Sequence, residues 1–360
     1  MGTFSNILNL AFQLQSDLNA IKTIYKKGSP ILKTWVDYKK YNRINKLSIK
    51  EYYYYHFDSC SEDFRSTFLP YSKAEDYWRI LNPNKYSALA RDKFLSHCIL
   101  EKLGIPHSEL ICAYCDEIGR DGNGLFSNID NITNALRNAQ VDKFVVKPAA
   151  DTSHGDGVRI YDKQQIKELS GGPISIADIL VSGITLFERI VKQSEQMSSF
   201  NSSSVNTIRI VTALYPDKAV KIIGSFLKIG RAGSCIDNAG NGGNVDCGVN
   251  HENGELFNAI EFNSWDDIKS IKTHPDSNVK IDGTKIDNWD SIVTKVKSFQ
   301  SRFHWLKCIG WDVAITEEGP VIIEINNWWD TTGQLFIGKG WHVEVKACYD
   351  AWVEYYKNKQ

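Results

Sequence analysis

Two carboxylates on neighbouring apolar strands are the strongest chemical signal in this chain. The segments IGWDVAIT and VIIEIN flank the turn TEEGP, so a hairpin folded back at Glu318 places Asp312 directly opposite Glu324, with side chains ~5 Å apart. Asn326 follows on the second strand and shares their face of the sheet. Facing carboxylates in an apolar sheet repel each other and lose hydration unless a cation lies between them. Because Mg²⁺ prefers such oxygen ligands, we predict a magnesium site at these three residues. A register slip of one position, which would turn one side chain to the other face, is the alternative.

A loop with small residues and glycines follows a lysine between two predicted strands. The segment KPAADTSHGDGVRIY runs from Lys147 to Tyr161, and such a loop can bring backbone N–H groups close to phosphate oxygens. A Walker A loop would end in Gly-Lys-Ser/Thr and open a helix. Here the lysine precedes the loop and the loop returns into a strand, so the pattern predicts a β-hairpin flap over phosphates. An ordinary glycine turn is the alternative.

The apolar strand ITLFERIV ends in a carboxylate and is typical of a slot for a flat base. Glu188 is followed by Ile190 and Val191, and backbone groups at this point could read the edge of an adenine. Glu195 lies a few residues further on and could reach ribose hydroxyls. A surface glutamate at a strand end explains the same local pattern.

Helical patterns precede and separate the predicted strands. Apolar spacing predicts an amphipathic helix over residues 4–25, and further helix to about Tyr55 with a break near residues 28–30. Residues 56–88 are aromatic and irregular, and we interpret them as a wrapping extension or linker. Beyond Leu89, further helices are expected at ALARDKFLSHCILEKLG, at residues 130–140, at ISIADILVSG and at residues 288–304.

Strand patterns carry the candidate residues and fill much of the remaining sequence. They are expected in IPHSELICAY, DKFVVKP, VRIYD, ITLFERIV, NTIRIVTALY, VKIIGSFLKIG, IGWDVAIT and VIIEIN. No internal repeat or low-complexity tract separates them. The alternation of these strands with helices predicts a mixed α and β architecture.

Composition places the chain among folded soluble proteins. It has 360 residues, 42% of them hydrophobic, which allows a large core. No apolar run reaches the ~18 residues of a membrane span, and the start MGTFSN lacks an apolar signal core, so we expect a cytoplasmic protein. The eight cysteines are scattered, and the CxxC of Cys112 and Cys115 has no second pair, which favours reduced thiols over a zinc or redox site.

Charge is distributed unevenly along the chain. The net charge of −1 gives no overall field for nucleic acid, and we expect no nucleic-acid partner. Residues 21–50, however, carry nine basic side chains against Asp37 alone, a local charge of +8. A solvated helical face is one interpretation. The other is peripheral contact with an anionic membrane, a lipid-linked glycan or an acidic partner, on the inner face of the membrane.

Several of these segments, taken in order, resemble the motifs of the ATP-grasp superfamily. They are ARDKF, LGIP, FVVKP, ADTSHGDG, FERIV, SVNTIRIVT, GSFLKIGRAGS, IGWDVA and VIIEIN, and they extend from about residue 90 to 335. The chain looks most similar to the branch associated with sugar transfer and polysaccharide assembly. The resemblance implies an α+β fold in which two subdomains clamp ATP between antiparallel sheets. The implied division is a helical and aromatic N-terminal extension at 1–88, a subdomain with the flap at 89–186, and a subdomain with the magnesium site at 187–360.

The resemblance also implies a role for each candidate residue. Lys93 and Lys147 would bracket the nucleotide phosphates, and Glu195 would contact the ribose. Asp312, Glu324 and Asn326 would hold two Mg²⁺ ions. The flap would consist of Ser153, His154, Gly155, Asp156 and Gly157, and the adenine hinge of Glu188, Arg189, Ile190 and Val191.

One position departs from the pattern of better-known relatives. D-alanine–D-alanine ligases carry an arginine two residues before the first metal-binding aspartate, where this chain has Gly310. The positive charge for the transferring phosphoryl group must therefore come from elsewhere. The candidates on or just after neighbouring strands are Arg209, Lys228 and Arg231.

The activity implied by the resemblance is ATP-dependent ligation of a carboxylate to an amine through an acyl phosphate. The branch suggests an amino acid joined to a sugar or uronic acid during biosynthesis of a surface polysaccharide such as a capsule, so small-molecule or sugar carboxylates and amines are the expected substrates. A kinase that phosphorylates a hydroxyl is one alternative. A non-catalytic scaffold that binds nucleotide or glycan is another.

Overall fold

The structure is a computed structural model, and it describes residues 30–118, 126–150, 157–234, 243–264 and 267–359, apart from the side chains of Ile31 and Asn45. The helix predicted over residues 4–25 lies outside this part of the chain. The flap residues Ser153, His154, Gly155 and Asp156 also lie outside it.

The described chain begins with helices packed around aromatic side chains. They are α1 (Ile31–Asn45), α2 (Ile49–Tyr54), α3 (Glu62–Thr67) and α4 (Tyr71–Leu81). The irregular backbone expected for 56–88, as a wrapping extension or linker, is wrong, because Ser61 caps α3 and Pro70 precedes α4 without interrupting it. Buried tyrosines and phenylalanines, from Tyr38 to Phe68, form a small core of their own between these helices.

The helix expected after Leu89 is divided in two. The first part is α5 (Ala88–Arg91), and the second is α6 (Lys93–Lys102). Asp92 adopts an extended backbone, and its side chain accepts hydrogen bonds from the N–H groups of Phe94 and Leu95. This cap begins a new helix at Lys93, which fixes that lysine in the first helical turn.

A four-stranded antiparallel sheet follows. Its strands are β1 (Leu110–Cys115), β2 (Lys143–Pro148), β3 (Arg159–Asp162) and β4 (Ile184–Arg189), in the order β1-β4-β2-β3. Helix α7 (Ile129–Asn138) packs on β1, and the short α8 (Lys167–Ser170) follows β3. The helix expected in ISIADILVSG is wrong: the segment forms only a 3₁₀ turn at Ile176–Ile179, because Leu180 returns to extended backbone.

A second, seven-stranded antiparallel sheet carries the candidate charges. After α9 (Glu195–Phe200) the chain forms β5 (Thr207–Leu214), β6 (Val220–Ile229), β7 (Asn244–Val249), β8 (Leu256–Ser264), β9 (Asp267–Ser270), β10 (Cys308–Thr316) and β11 (Gly319–Asn326). Their order is β11-β10-β5-β6-β7-β8-β9. Helix α10 (Trp289–Arg302) precedes β10, and α11 (Gly333–Ile337) and α12 (His342–Lys357) end the fold.

The seven-stranded sheet is covered by apolar side chains on both faces. Ile292, Val296 and Phe299 of α10 belong to one core, and Trp78 of α4 and Trp352 of α12 belong to the other. The two sheets meet where the N–H of Ser108 donates to the carbonyl of Ile322, at 3.1 Å. None of the helices in the described ranges is both long and apolar enough to cross a membrane.

Candidate active site

The hairpin of β10 and β11 places the two predicted carboxylates opposite each other. Asp312 pairs with Glu324 in the ladder, which confirms the predicted pair. Next to the turn the strands are one position out of the predicted register, with Val313 opposite Ile322. A bulge between Asp312 and Val313 shifts the register by one position and so brings Glu324 opposite Asp312. Asp312 is buried, whereas Glu324 is partly exposed. Both side chains line the same cavity.

The carboxylate of Asp312 is held by two cations from neighbouring strands. Arg209 of β5 pairs with Asp312 in register, and its Nε and Nη2 donate to Oδ1 and Oδ2 at 2.6 and 2.9 Å. Nζ of Lys228 on β6 lies 3.3 Å from Oδ1. Burial by itself opposes ionisation, but these two charges prevail and hold the pKa of Asp312 at about 2. The group is therefore an anion near neutral pH.

Gly310 explains how an arginine from another strand reaches this site. A Cβ added at Gly310 would lie 3.1 Å from Cδ of Arg209 and 2.8 Å from Cβ of Trp329. The contact with Trp329 is shorter than Cβ atoms in proteins make, and the contact with Arg209 would require the arginine to shift. The aliphatic stem of Arg209 thus occupies space beside β10 that a larger residue at 310 would fill.

Asn326 contacts Asp312 but lies outside the cavity wall. Its Nδ2 donates to Oδ2 of Asp312 at 3.4 Å, and the residue does not line the cavity. In the described part of the chain, no group of three His, Cys, Asp or Glu side chains is arranged to hold a metal ion. A cation at this hairpin would therefore rely on two carboxylates, the amide of Asn326 and oxygens from substrate or water.

A second charged cluster lies at the four-stranded sheet. Nζ of Lys147 on β2 and Nε2 of His97 on α6 lie 2.7 and 2.6 Å from the same oxygen, Oε1 of Glu188 on β4. Burial of Glu188 opposes its ionisation, yet Lys147 and then His97 hold its pKa at about 2. Glu188 thus directs its carboxylate toward the predicted phosphate lysine.

Lys93 links this cluster to the hairpin. Its backbone N–H donates to the carbonyl of Ala149 at 2.7 Å, just after β2, which anchors the start of α6. Its Nζ lies 3.6 Å from Oε1 of Glu324. The two lysines predicted to bracket phosphates therefore stand near different carboxylates, Lys147 near Glu188 and Lys93 near Glu324.

One cavity of about 380 Å³ joins the two clusters, and residues from both sheets line it. The predicted residues in its wall are Lys93, Lys147, Glu188, Arg189, Ile190, Val191, Lys228, Asp312 and Glu324. Val145 and Ile160 add apolar surface on the side of the hinge. A pocket that combines apolar walls with a few convergent charges is the expected form of a cofactor site.

Four predicted residues of the described chain lie outside this wall in addition to Asn326, and one of them, Gly157, belongs to the flap. Arg209 reaches the site through Asp312 and does not itself line the cavity. Arg231 is held by both oxygens of Asp276 and by Glu261, each at 2.8 Å. Glu195 is exposed at the start of α9, and its N–H donates to Glu317 at 2.9 Å.

At the flap, the one described residue is Gly157. Its φ of +79° is the left-handed backbone that favours glycine, and an added Cβ would lie 2.9 Å from Cγ of Pro148. The chain therefore passes close over the end of β2 as it enters β3. This is the place at which a flap would join the sheet.

Sequence reasoning missed several residues of the site. His97 lies four positions after Lys93 on the same helix, a spacing that puts both on one face and could have identified it. Gln193 and Ser198 occupy the wall where Glu195 was expected, together with the serine run at 202–204. Three consecutive serines before an apolar strand were the available signal.

The two tryptophans after Asn326 have different environments. Trp329 is fully buried, with its ring 5.1 Å from that of Trp78 and 5.3 Å from that of Trp341. Trp328 is 38% exposed, and its ring stacks on that of Trp78 at a centroid distance of 6.0 Å. Trp329 therefore belongs to the core, and Trp328 presents a ring at the surface.

Comparisons with known proteins give the family of this chain. A family model for sugar-transfer associated ATP-grasp proteins matches residues 72–348. Curated proteins gave no match. Among solved structures, D-alanine–D-alanine ligase from Helicobacter pylori is similar at 15% identity with a TM-score of 0.40, covering 81% of this chain and 66% of that one.

Two further solved structures show similarity of the same order. D-alanyl-alanine synthetase A from Vibrio cholerae gives 15% identity and a TM-score of 0.44, over 74% of this chain and 66% of that one. The ATP-grasp ligase PsnB, complexed with a minimal precursor, gives 14% identity and a TM-score of 0.40, over 76% of this chain and 62% of that one. The chain thus spans less than two thirds of each of these structures.

The family match includes both lysines, the hinge and the hairpin of Asp312 and Glu324. The chain therefore has the ATP-grasp fold that its motifs predict, and it belongs to the sugar-transfer associated ATP-grasp family.

Proposed function

We propose that this protein is an ATP-dependent carboxylate–amine ligase. The observation that carries the proposal is the single cavity in which two lysines and the facing carboxylates of Asp312 and Glu324 meet. ATP would place its adenine along Ile190 and Val191 and its phosphates toward Lys147 and Lys93. In this arrangement residues 89–186 and 187–360 hold the nucleotide from opposite sides, with residues 1–88 as an extension.

The donors at the hairpin fit magnesium. Asp312 is ionised, Glu324 faces the cavity, and Asn326 can present its amide oxygen, a set typical of an ion that also binds phosphate oxygens. The longest contacts of Asp312, to Lys228 at 3.3 Å and to Asn326 at 3.4 Å, are those that a cation would replace. Two bound Mg²⁺ ions would neutralise charge on the nucleotide phosphates.

The reaction we propose has two steps. A carboxylate oxygen of the first substrate bonds to the γ-phosphorus as the bond to the β-phosphate oxygen breaks, which gives an acyl phosphate and ADP. The amine nitrogen of the second substrate then bonds to the acyl carbon, phosphate leaves, and the nitrogen loses a proton. The chain contributes positioning and charge rather than a nucleophile. Arg209 fixes Asp312, while Lys228, Lys93 and Lys147 compensate phosphate charge.

The substrate classes follow from the family description. We propose that an amino acid is joined to a sugar or uronic acid in the assembly of a surface polysaccharide, on the cytoplasmic side of the membrane. The description as sugar-transfer associated supports this choice. The amide bond itself and the place of the reaction belong to the proposal.

The outward face of α1 supports the peripheral membrane contact. Leu32, Trp35 and Val36 are exposed there at 76, 41 and 62%, and Lys39 and Arg43 are exposed further along the same helix. The acidic residue of this segment, Asp37, turns inward and accepts a hydrogen bond from Tyr52 at 2.7 Å. Exposed apolar groups beside cations are typical of a helix that lies on an anionic lipid surface.

A screen for ADP release tests the activity. Full-length protein with ATP and Mg²⁺ would be incubated with amino acids, aminosugars and uronic acids in pairs, and each product would be identified by mass. Hydroxylamine added in place of the amine traps an acyl phosphate as a hydroxamate, whereas a phosphoester from a kinase reaction is not trapped. No ADP release with any pair would favour the scaffold and overturn the ligase.

A further inference from the structure

Three aromatic residues form a partly open surface beside the candidate active site, which we call the aromatic shelf: Tyr71, Trp78 and Trp328. Trp78 is fully buried and supports the other two. The ring of Trp328 stacks on it at 6.0 Å with an interplanar angle of 21°, and the ring of Tyr71 meets it edge-on at 5.4 Å. Trp328 and Tyr71 remain 38 and 41% exposed. Two planar side chains are thus held rigidly by one buried ring and face solvent.

The aromatic shelf is connected to the reaction centre through β11. Trp328 follows Asn326 by two positions, a span of at most ~7 Å. Asn327 between them is buried, and its carbonyl and Nδ2 are tied to Asn82 and Ser87 at 2.5 and 3.1 Å. The segment that leaves the magnesium hairpin is therefore fixed, and it ends in the exposed ring.

Asp330 follows Trp328 by two positions and adds a carboxylate near the aromatic shelf. It is exposed, and its Oδ1 accepts from the N–H of Thr332 at 2.7 Å. Its charge contributes to the raised pKa of Tyr71 on the shelf. A negative side chain therefore acts on the ring of Tyr71.

The charges around Tyr71 favour ligands of one sign. Burial is the largest cause of the raised pKa of Tyr71, and the charged groups that raise it further are Glu75 and Asp330, both carboxylates. The backbone N–H of Tyr71 is also held by a carboxylate, Oε1 of Glu51 at 2.7 Å. An ammonium or a neutral hydroxyl is stabilised at such a place, and a further carboxylate is repelled.

We propose that the aromatic shelf binds the ring of an aminosugar, the substrate that supplies the amine. The apolar face of a pyranose ring would lie on Trp328, beside Tyr71, and its hydroxyl and neutral amino groups would donate to Asp330. This inference rests on the proposed ligase function and narrows it, because a uronic acid would then not be the substrate at this position. The amino acid would be the partner whose carboxylate is activated.

Calorimetric titration of the full-length protein tests the proposal. The probes are the methyl glycosides of glucosamine and of glucuronic acid, each titrated with Mg²⁺ and a non-hydrolysable ATP analogue present. We expect the glucosaminide to bind and Trp328→Ala to weaken it by about tenfold, with the affinity for the ATP analogue unchanged. Trp328→Phe, which keeps a ring on Trp78, should retain most of the binding.

A matched control exists on α12. Tyr356 is 40% exposed and packs on a tryptophan, Trp352, at 5.5 Å, so Tyr356→Ala removes a comparable surface ring far along the chain and should leave binding unchanged. Equal binding by Trp328→Ala and the wild type, or tighter binding of the glucuronide, overturns the shelf.

The experiments distinguish failure of the aromatic shelf as a sugar-binding site from failure of the proposed ligase function. If glucosaminide binding depends on Trp328 but no substrate pair releases ADP, the ligase function is contradicted and the binding site at the aromatic shelf is supported. ADP release with a non-sugar amine, in a protein that binds no glucosaminide, removes the shelf and keeps the ligase.

Discussion

Arg209 on the adjacent strand donates hydrogen bonds to both carboxylate oxygens of Asp312, at 2.6 and 2.9 Å. The two residues are register partners on β5 and β10, and the stem of the arginine passes over Gly310, where no side chain stands in its way. Asp312 therefore receives its cation from β5 and not from a residue on its own strand. The bidentate geometry needs the planar guanidinium, which lysine cannot replace.

Removal of the charge of Asp312 should abolish turnover without unfolding the protein. We expect Asp312→Asn, and likewise Glu324→Gln, to lower Mg²⁺-dependent ADP release by at least about 10²-fold, because each deletes one charged oxygen donor at the hairpin. Circular dichroism should show intact secondary structure. Asp142→Asn, at an exposed carboxylate that pairs with Lys163, is the control. Full activity in either site variant would contradict the assignment.

Arg209→Lys should separate catalysis from nucleotide binding. Lysine keeps the charge but loses the paired hydrogen bonds to Asp312, so we expect turnover to fall by roughly 10²-fold. The dissociation constant for ATP should change little, because Arg209 does not line the cavity. Arg231→Lys, at an arginine already held by Asp276 and Glu261, should leave turnover near the wild-type value. The assignment fails if the two variants behave alike.

Gly310→Ala tests whether space beside β10 is needed for the arginine. The added Cβ would meet Trp329 and Arg209 at 2.8 and 3.1 Å, so we expect a loss of about 1–3 kcal/mol in the free energy of unfolding. Denaturant titration measures that loss, and ADP release measured in parallel should fall as well. Unchanged stability and activity would show that the structure accommodates a Cβ at position 310, and that the space beside β10 is not needed for Arg209.

Acid should destabilise the protein through Glu188. Its pKa is lowered from 4.5 to about 2 in the folded state, so the unfolded chain binds more protons between these values. The stabilisation is complete above pH 4.5 and is lost as pH falls toward 2.

The glutamine variant of the same residue makes this dependence measurable. Glu188→Gln should reduce the slope of unfolding free energy against pH in this window. The reduction should correspond to at most about one proton fewer in the difference between the unfolded and folded states. Glu252→Gln, at an exposed glutamate, should leave the slope as it is in the wild type. Equal slopes in Glu188→Gln and the wild type would show that Lys147 and His97 do not hold the carboxylate as described.

The basic face of α1 should govern binding to anionic vesicles. Replacement of Lys39, Lys40 and Arg43 by glutamine should weaken sedimentation with phosphatidylserine-containing vesicles by roughly 10²-fold, at about 1 kcal/mol for each charge. The same number of exposed lysines changed elsewhere, at Lys272, Lys280 and Lys285, serves as the control. Equal losses in both variants would mean that the net charge matters and the helix does not.

The hairpin shows how far local sequence could reach. Two apolar strands around a short turn predicted the hairpin and the pair of Asp312 and Glu324. The pair depends, however, on a bulge between Asp312 and Val313 that shifts the register by one position, and no local pattern predicted that bulge. The strands at the hinge and at the flap lysine were equally readable, because short apolar runs bounded by turn residues have few alternatives. β7 and β8 were missed: β7 buries Asp246 and contains a glycine, and β8 contains polar asparagines, so neither shows a plain strand pattern.

By itself, the sequence determined the order of the motifs, the existence of the hairpin and the residue types available for a nucleotide and a metal. Only the tertiary structure decided which cation serves Asp312, because Arg209 is 103 positions away in the chain and becomes a neighbour through strand pairing. The packing of distant segments also brings His97 into contact with Glu188 and leaves Arg231 outside the cavity. It buries Trp329 in the core and leaves Trp328 at the surface. Local patterns specify faces and turns, whereas contacts between distant segments depend on how sheets and helices pack.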